Sequence, residues 1–501
     1  MIVLGVHDGH DAGAALIKDG KILAAVNEER LNREKLYYGV PEQSILKVLE
    51  ISKININDVN KVAIASKAGV VTNLGWDNVS KTKKLYQFIS KYGFGVAGTK
   101  IFSKVHRNVF SLLRSNEAEK FIRKLGYKKE IKYIDHHLCH ASSAYYTSGR
   151  DNCLVITSDG SGDGYSSTVY EGRDGVLHLK KAINSFHSIA YYYAYITLMA
   201  GFKMFKHEGK ITGLAAHGNP DNYYNVFEDA FEYSDKLHSP INKLGLIGVD
   251  AIDYLKEKLK NCSVEDYSAA VQKRVEDVMS RFVEDYVSIT GIIDVAVAGG
   301  IFANVKLNQR ILELNNVNSL FIHPHMGDGG LAVGAALNVY ANNNTLKPFI
   351  LNDVYFGQEF SNGEIEEEIK SHNLTGKYVD NIERFIAEKL KEKKIVGHLN
   401  GRMEYGPRAL GNRSILADPT EVKINDWLNK RLNRSEFMPF APSILDTDAD
   451  KYYKSYKKGI YPSKFMTLTF DTTKEADKAK AVVHVDNTTR PQVVTKEQNP
   501  R

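Results

Sequence analysis

The chain has 501 residues, of which 43% are hydrophobic and 25% are charged, ordinary values for a soluble globular protein. This composition excludes a mostly disordered chain, and the 38 glycines and 12 prolines exclude a collagen-like or low-complexity one. The net charge of +6 permits an anionic substrate or a nucleic acid as partner without requiring either.

The first half of the chain predicts a β-hairpin followed by alternating helices and strands. Strands are expected at 2–7, 14–17 and 22–27, with a turn at 18–21. Helical spacing follows at 41–52, a buried strand at 59–66 and a helical composition over 70–125. A strand at 131–134 then leads into a histidine-rich segment and a helix over 141–147.

A second hairpin is expected from strands at 153–159, 166–171 and 176–182, with glycines at its start. Residues 187–218 and 265–291 are predicted to be helical. A strand at 293–298, a helix at 303–313, a strand at 319–323 and a helix over 327–340 follow. Two hairpin-bearing halves in succession predict an α/β fold whose N-terminal domain is duplicated and actin-like, with a nucleotide held between the halves.

The polar segment 342–348, which ends in a proline, is the best candidate for a linker. We therefore predict a domain of residues 1–347 and a second, smaller α/β domain of residues 348–501. The second domain has a predicted helix at 382–394, a strand at 395–399 and a glycine- and arginine-rich loop at 401–411.

Three features of the sequence predict a cytoplasmic protein without a membrane partner. Three cysteines are too few for a disulfide framework. The chain opens on an apolar strand with no basic leader ahead of it. Its apolar runs are shorter than the ~18 residues that a membrane span needs.

Two histidines and two aspartates are candidate metal ligands. His136 and His140 are four residues apart, so on a helix both imidazoles lie on one face. Asp159 and Asp328 lie in glycine-rich turns that follow predicted strands. Two imidazoles and two carboxylates suit a divalent metal with open positions for substrate. Taken singly, each segment is also explained by a helix cap or a tight turn.

Two further segments have patterns typical of ligand binding. Asp8 and His10 lie together in the first hairpin turn. The imidazole of His10, a group of near-neutral pKa, can act as a general base there. Alternatively, the turn residues simply cap one another. Arg402, Arg408 and Arg413 alternate with glycines in one loop, a pattern typical of a phosphate clamp, because guanidinium groups pair with phosphate oxygens bidentately.

These motifs, taken together and in this order, resemble those of the O-carbamoyltransferases of nodulation-factor and antibiotic biosynthesis. The resemblance covers about residues 1–495. The matching segments are His10-Asp11-Ala12-Gly13-Ala14-Ala15, His136-x-x-x-His140, Asp159-Gly160, Ala298-Gly299-Gly300, Gly327-Asp328-Gly329-Gly330 and Gly406-Pro407-Arg408-Ala409-Leu410-Gly411-Asn412-Arg413-Ser414.

The resemblance implies an actin-like metallo-domain similar to that of threonylcarbamoyl transferases, and a YrdC-like C-terminal domain. It implies that the C-terminal domain joins carbamoyl phosphate and ATP, with Mg²⁺, into carbamoyladenylate. The N-terminal domain then passes the carbamoyl group to an acceptor hydroxyl, and the family's usual ion there is iron.

The resemblance also assigns roles to individual residues. His136, His140, Asp159 and Asp328 match the metal ligands, and Asp8 and His10 match acceptor-side residues, with His10 as the candidate base. The residues implied to bind the nucleotide or carbamoyladenylate are Gly160, Lys210, Gly299, Gly300, Asn304, Arg402, Arg408, Arg413, Ser414 and Arg434.

Three departures from the family pattern stand out. The segment Arg434-Ser435-Glu436-Phe437-Met438 differs from the usual run before Pro-Phe-Ala-Pro, which changes the expected phosphate contacts. Lys35-Leu36-Tyr37 replaces a basic-His ending beside the acceptor site, which predicts a different acceptor. The chain also ends at Arg501, before a segment that usually completes the YrdC-like domain, so a truncated or reduced domain is expected.

The sequence is compatible with several functions. The acceptor is a sugar or natural-product hydroxyl, or alternatively a hydroxymethylated base (5-hydroxymethylcytosine) in DNA, for which residues 76–132 would supply aromatic and basic contacts. Other classes are an actin-like kinase or hydrolase and an inactive nucleotide-binding partner protein. A homodimer is compatible with the sequence.

Overall fold

The computed structural model describes residues 1–67, 116–432 and 438–497. Its strands are β1 (Ile2–His7), β2 (Gly13–Lys18), β3 (Lys21–Asn27), β4 (Lys61–Ala65), β5 (Ile131–Ile134), β6 (Cys153–Gly162), β7 (Tyr165–Arg173), β8 (Val176–Asn184), β9 (Phe231–Ser234), β10 (Ser239–Asn242), β11 (Asp294–Ala298), β12 (Ser319–Ile322), β13 (Val396–Leu399), β14 (Arg413–Leu416), β15 (Ser443–Leu445), β16 (Phe470–Asp471), β17 (Thr488–Thr489) and β18 (Gln492–Val494).

The helices of the same ranges are α1 (Glu29–Asn32), α2 (Glu42–Ser52), α3 (Glu117–Lys124), α4 (His136–Tyr146), α5 (Ile189–Met199), α6 (Glu208–Ala215), α7 (Tyr224–Ala230), α8 (Val249–Lys258), α9 (Val264–Thr290), α10 (Val305–Glu313), α11 (Leu331–Ala341), α12 (Asn362–Ser371), α13 (Ile382–Lys391), α14 (Lys423–Arg431), α15 (Asp446–Tyr452) and α16 (Ile460–Ser463). Within these ranges no helix combines the length and the apolar character that crossing a bilayer requires.

Two five-stranded sheets repeat one topology. In the first the order is β3-β2-β1-β4-β5, in which the hairpin strands pair antiparallel and β1, β4 and β5 run parallel. In the second the order is β8-β7-β6-β11-β12, again with an antiparallel hairpin and a parallel remainder. The predicted duplication of an α/β, actin-like N-terminal half is therefore confirmed.

Helices α4 and α11 pack against each other between the two sheets, and their small residues allow a close approach. A Cβ on Gly334 would lie 1.9 Å from the carbonyl oxygen of Cys139 in the facing helix. A Cβ on Gly5 in β1 would lie 2.0 Å from the carbonyl oxygen of Ala332. Side chains at these positions would force the layers apart, so glycine sets the spacing of the central core.

The outer faces of the two sheets are covered separately. Helix α2 covers the outer face of the first sheet, with Ile45, Val48 and Leu49 buried. The 27-residue helix α9 lies in the core on the outer face of the second sheet, and it begins at the cap Ser263 and ends at Gly291. Each sheet thus has its own helix on the outer face and the layer of α4 and α11 on the inner face.

The C-terminal region contains short strand pairs, β13–β14, β15–β18 and β16–β17. It packs back on both five-stranded sheet regions, since Asn308 Nδ2 in α10 donates to Thr467 O at 2.7 Å and the amide of Ala25 in β3 donates to Phe356 O at 3.2 Å. The predicted domain division near Pro348 remains a prediction.

Most predicted elements are confirmed with small shifts of their ends, and two predictions need correction. The helix expected over 141–147 begins five residues earlier, at His136. The helical stretch expected over 187–218 is two helices, α5 and α6, because Gly201 (φ +82°) and Phe205 (φ +60°) break it. Of the helical composition expected over 70–125, the structure describes only the last residues, where α3 lies.

Candidate metal centre and surrounding site

The first turn of α4 presents two imidazoles on one face. The side chain of Asp135 caps the helix by accepting from the Leu138 amide at 3.3 Å. Asp163 Oδ2 accepts from the His136 amide at 2.8 Å, which fixes the start of the helix against the second sheet. His136 and His140, one turn apart, then point the same way, as their spacing predicted.

Two carboxylates complete the cluster. Asp159 lies in β6, and Asp328 lies in the turn after β12. Asp159 Oδ2 is 3.4 Å from His136 Nε2 and 3.3 Å from His140 Nε2, while Asp328 Oδ1 is 3.4 Å and 3.5 Å from the same two nitrogens. The four ligand atoms all lie within 4.8 Å of one another.

The charges of this cluster call for a cation. Burial opposes a charge on His136, but Asp328 and Asp159 outweigh it and raise the pKa of His136 well above its usual value. Burial likewise opposes the charge on Asp328, but His136 and His140 hold the pKa of Asp328 well below the usual range. Two ionised carboxylates are therefore held among buried groups, a state that a bound cation stabilises.

The residues present fit a divalent metal. His140 is fully buried, and its Nδ1 has no hydrogen-bond partner among the described residues. Ligands about 2.0–2.2 Å from an ion are about 3–3.5 Å from one another, and each of the four nitrogen–oxygen pairs here has this spacing. Gly162 leaves room for the cluster, since a Cβ there would lie 2.1 Å from the His136 ring.

His137, between the two candidate ligands, points away from them. Its ring nitrogens pair with Thr157 Oγ1 at 2.7 Å and with the carbonyl of Tyr165 at 3.0 Å. Burial and then the neighbouring His136 lower the pKa of His137 to about 3, so it is a neutral residue of the core.

The first hairpin turn lies next to the cluster. Asp8 is buried and His10 is partly exposed. His7 Nε2 pairs with the carbonyl of His10 at 2.9 Å, which holds the turn in place. Burial lowers the pKa of His7 to about 4, and the charges of Asp328 and His136 also act on it, which places the turn near the ligands.

Asp11 and His325 are a buried pair that the sequence patterns did not single out. Asp11 Oδ2 lies 3.5 Å from His325 Nε2. Burial, and then the charge of Glu29, raise the pKa of Asp11 to about 7. The only signals in the sequence were the acidic turn itself and a second histidine in the His-Pro-His segment.

The glycines expected to cradle a nucleotide lie beside Asp159. Gly299 has φ +111°, and a Cβ there would lie 2.1 Å from the carbonyl oxygen of Ser158, so the close approach requires glycine. A Cβ on Gly300 would lie 2.9 Å from Asp159 Oδ1. The amide of Gly160 donates to Asp159 Oδ1 at 2.7 Å.

Two other residues expected at the nucleotide have structural contacts. Asn304 caps α10, accepting from the Leu307 amide at 3.1 Å, and its amide donates to Gln272 at 2.8 Å. Lys210 is buried, with its Nζ 4.9 Å from the centre of the Phe202 ring. A nucleotide role for both remains a prediction.

The arginine-rich loop is organised by a buried carboxylate. Glu404 is 4% exposed, and its Oε1 accepts from the amides of Leu410, Asn412 and Arg413 at 2.8, 2.8 and 2.9 Å. Sequence patterns did not single Glu404 out, because its partners are backbone N–H groups of the same loop, which no residue pattern reveals.

The arginines of this loop also bond to backbone. Arg402 donates to the carbonyls of Gly357, Leu23 and Phe356 at 2.7–3.1 Å, and Arg413 donates to those of Asn400, Asn412, Gln358 and Gly401 at 2.8–3.1 Å. Arg408 is half-buried, and Ser414 Oγ accepts from the Gly411 amide at 3.0 Å. Arg434 lies outside the described residues. The phosphate role of this set remains a prediction.

Tyr405 connects the arginine-rich loop to the loop of Asp328. Its ring centre is 5.2 Å from that of His325 and 6.0 Å from that of His323. Its hydroxyl donates to the carbonyl of Gly329 at 3.5 Å. The glycine-rich turn of Asp328 and the arginine-rich loop are therefore in contact.

A small pocket, separate from the metal-ligand cluster, lies in the C-terminal region. Its lining includes Phe440, His484, Thr488, Thr489 and Arg490. The pKa of Asp486, beside this lining, is held far below its usual range, because His484, Thr488 and Lys306 outweigh the effect of burial. The run His484-Val485-Asp486-Asn487-Thr488-Thr489-Arg490 was a signal that the sequence patterns overlooked.

Comparison with known proteins gives matches along the whole chain. The family described as "Carbamoyltransferase N-terminus" matches residues 2–337, and "Carbamoyltransferase C-terminus" matches residues 387–501. An uncharacterized protein of Methanocaldococcus jannaschii is 32% identical, with 99% of this chain and 88% of that protein covered.

Two relatives with functional names match nearly the whole length of this chain. The nodulation protein NolNO of Sinorhizobium fredii is 30% identical over 98% of this chain and 70% of its own. The 3'-hydroxymethylcephem-O-carbamoyltransferase of Amycolatopsis lactamdurans is 23% identical over all of this chain and 88% of its own. On these matches, the chain belongs to the carbamoyltransferase family.

Proposed function

We propose that this protein is an ATP-dependent O-carbamoyltransferase. Carbamoyl phosphate loses its phosphate to water, and the resulting carbamate displaces pyrophosphate from ATP to give carbamoyladenylate. The acceptor hydroxyl of a small molecule then takes the carbamoyl group, and AMP leaves. The observation that carries the proposal is the cluster of two imidazoles and two carboxylates between the halves of a carbamoyltransferase-family domain.

The four clustered side chains, His136, His140, Asp159 and Asp328, would hold a divalent metal, which we take to be iron. When bound, such an ion polarises a carbonyl and neutralises phosphate charge. The chain itself supplies the orientation: Asp163 anchors the start of α4, and Gly162 admits the His136 ring.

The acceptor hydroxyl must lose a proton during transfer, and His10 is the proposed base. The turn around it is held by the bond from His7 Nε2 to the His10 carbonyl, which leaves the imidazole of His10 partly exposed. Asp8, buried in the same turn, is the second residue that we propose to lie on the acceptor side of the site. A base must lie within hydrogen-bond reach of the hydroxyl it deprotonates, which a fixed turn provides.

Adenylate formation is assigned to the C-terminal region, with ATP, Mg²⁺ and carbamoyl phosphate as substrates. A carbamate is a poor electrophile until its oxygen is joined to a good leaving group, and AMP is such a group. The pocket of Phe440, His484, Thr488 and Arg490 offers cationic and hydroxyl groups to a phosphate.

The experiment that tests the proposal is isotope exchange between pyrophosphate and ATP. We expect exchange that requires carbamoyl phosphate. Conversion of ATP to ADP with no exchange would indicate an actin-like kinase or hydrolase instead. Asp328→Asn should retain exchange and lose transfer to an acceptor, because the ligand belongs to the second step. Absence of any exchange would refute the proposal.

Transfer to hydroxymethylated DNA is not favoured by any described residue. Most of the basic and aromatic segment expected to track DNA, residues 76–132, lies outside the described ranges. DNA as acceptor, a homodimer and a cytoplasmic location therefore remain predictions of the sequence.

A further inference from the structure

We propose that Phe205 and Tyr191 form a platform for the acceptor, and that this acceptor is a ring compound carrying a negatively charged group, such as a phosphate. The inference rests on the proposed carbamoyl transfer and names the acceptor class. A sugar phosphate and a nucleotide both have this chemistry.

Phe205 is held in an unusual conformation. Its φ of +60° is in the left-handed region, which a bulky side chain seldom adopts, and 39% of the residue is exposed. Its backbone amide donates to Glu208 Oε1 at 2.5 Å, which closes the turn between α5 and α6. Strain of this kind persists where the surrounding structure enforces it, and it collects at ligand sites.

The platform adjoins a candidate metal ligand. Gly160 follows Asp159, and a Cβ on Gly160 would lie 3.3 Å from Tyr191 Cε1 and 3.8 Å from Phe205 Cε1. The two rings meet edge to face, with centres 6.2 Å apart at an angle of 71°. Ser188, at the start of the helix that carries Tyr191, donates its hydroxyl to the carbonyl of Asp159 at 3.1 Å.

The same turn also reaches the loop of the candidate base. Lys206 Nζ donates to the carbonyl of Lys35 at 3.2 Å. Three residues after Lys35, Tyr38 forms a β-bridge with His10. Phe205 therefore belongs to a rim that runs from the metal ligands to His10, where an acceptor hydroxyl would enter.

The rim has more basic than acidic residues. Four of its basic residues are exposed: Arg33, Lys35, Lys203 and Lys206. Of its three acidic residues, Glu29 pairs with Lys35 at 3.0 Å, Glu208 accepts from the Phe205 amide, and Glu34 is exposed between Arg33 and Lys35. An aromatic face beside exposed cations fits a ring stacked on Phe205 with an anionic group at the lysines.

Binding is tested with Phe205→Trp, whose tryptophan emission reports on the platform. The probes are glucose 6-phosphate and 5-hydroxymethyl-deoxycytidine monophosphate, their uncharged counterparts, and the cationic kanamycin. We expect at least one phosphorylated probe to bind about tenfold more tightly than its uncharged counterpart, and kanamycin not to bind. Phe385→Trp, a similarly exposed position on α13, is the control and should not respond.

The probe that binds distinguishes a sugar phosphate from a nucleotide as the source of the anion. Equal or tighter binding of the uncharged or cationic probes would overturn the proposal, as would no response to either phosphorylated probe.

The charge is tested separately. The double variant Lys203→Gln, Lys206→Gln should weaken binding of the phosphorylated probe about tenfold and leave binding of its uncharged counterpart unchanged. The double variant Lys256→Gln, Lys258→Gln, on α8, removes the same charge elsewhere and should change neither. An equal loss in both double variants would contradict a local role of the rim.

A kinetic readout separates this inference from the proposed function. Carbamoyl-phosphate-dependent exchange needs no acceptor, so Phe205→Ala should retain it while KM for the charged acceptor rises about tenfold. Loss of exchange in Phe205→Ala would contradict the platform. No exchange in the unsubstituted protein would refute the proposed function and leave the binding results to stand.

Discussion

At the scale of single residues, the four clustered side chains are stabilised by one another's charge in the metal-free protein. The proton on His136 is favoured by Asp328 and Asp159, so a metal must displace it before the imidazole can act as a ligand. Protons therefore compete with the metal at low pH, and the metal affinity rises as the pH rises toward the raised pKa of His136.

We therefore expect the metal Kd to fall with increasing pH, by about tenfold per pH unit below the pKa of His136. Titration of the metal-free protein against a chelator of known affinity, between about pH 6 and pH 8, measures this. A Kd independent of pH would show that His136 is not protonated in the metal-free state.

Removing a ligand should remove the metal. His140→Ala and Asp328→Asn are expected to lose bound metal after dialysis, because each withdraws one of the four donors clustered among the described residues. Elemental analysis of the purified variants measures the content. His178→Ala, on an exposed part of β8, is the matched control, and unchanged metal in His140→Ala would refute the assignment.

Glu404 is predicted to be the residue on which the arginine-rich loop depends. Glu404→Ala leaves three backbone amides without their acceptor, so we expect a loss of about 3 kcal/mol in the free energy of unfolding. Urea denaturation measures it, with Glu367→Ala on exposed α12 as the control. Equal stability of the two variants would contradict this role.

At the scale of elements, the contact between α4 and α11 sets the position of the histidines. In Gly334→Ala the new Cβ would meet the backbone of Cys139, the residue before His140, and only a shift of one helix relieves the clash. We expect a loss of about 3 kcal/mol in the free energy of unfolding and weaker metal binding.

Gly363→Ala is the control for this change. A Cβ there meets only Ser361 Oγ at 4.0 Å, near the start of exposed α12, so its stability should be unchanged or slightly higher. Thermal unfolding measures the stability of both variants. A Gly334→Ala protein as stable as Gly363→Ala would contradict tight packing of α4 on α11.

The elements differ in how far the sequence determines them. The two hairpins follow from local alternation and glycine turns, so their strands were predicted nearly to the residue. The break between α5 and α6 was not predicted, because Phe205 adopts a positive φ under tertiary constraint. The role of Glu404 was also missed, since it depends on how one loop closes on itself rather than on a residue pattern.

The candidate ligands show a further limit. His136 and His140 follow from helical spacing, but nothing local indicates that Asp159 and Asp328 meet them. That depends on the parallel order of the sheet strands, which brings the ends of distant strands together.

At the scale of the whole molecule, the C-terminal region is bound to the first sheet by polar contacts. Arg402 reaches the carbonyl of Leu23 in β3, and Arg30 donates to the carbonyl of Gly406 at 2.6 Å. Tyr405 inserts beside the loop of Asp328. The two steps proposed for the reaction therefore belong to regions that are in direct contact.

Arg402→Lys is expected to weaken that contact, because an ammonium group cannot reproduce the fork that bonds three carbonyls. The free energy of unfolding should fall by about 2 kcal/mol. Denaturation monitored by fluorescence checks this, with Arg384→Lys on exposed α13 as the control, and no difference between the two would contradict a bridging role.

The most direct test of the central claim is mass spectrometry of acceptors incubated with the protein, ATP and ¹³C-labelled carbamoyl phosphate. The account predicts the gain of one labelled carbamoyl group on a hydroxylated acceptor, with AMP as co-product, and no gain with Asp328→Asn. Release of the label to water with every acceptor, or equal transfer by Asp328→Asn, would contradict it.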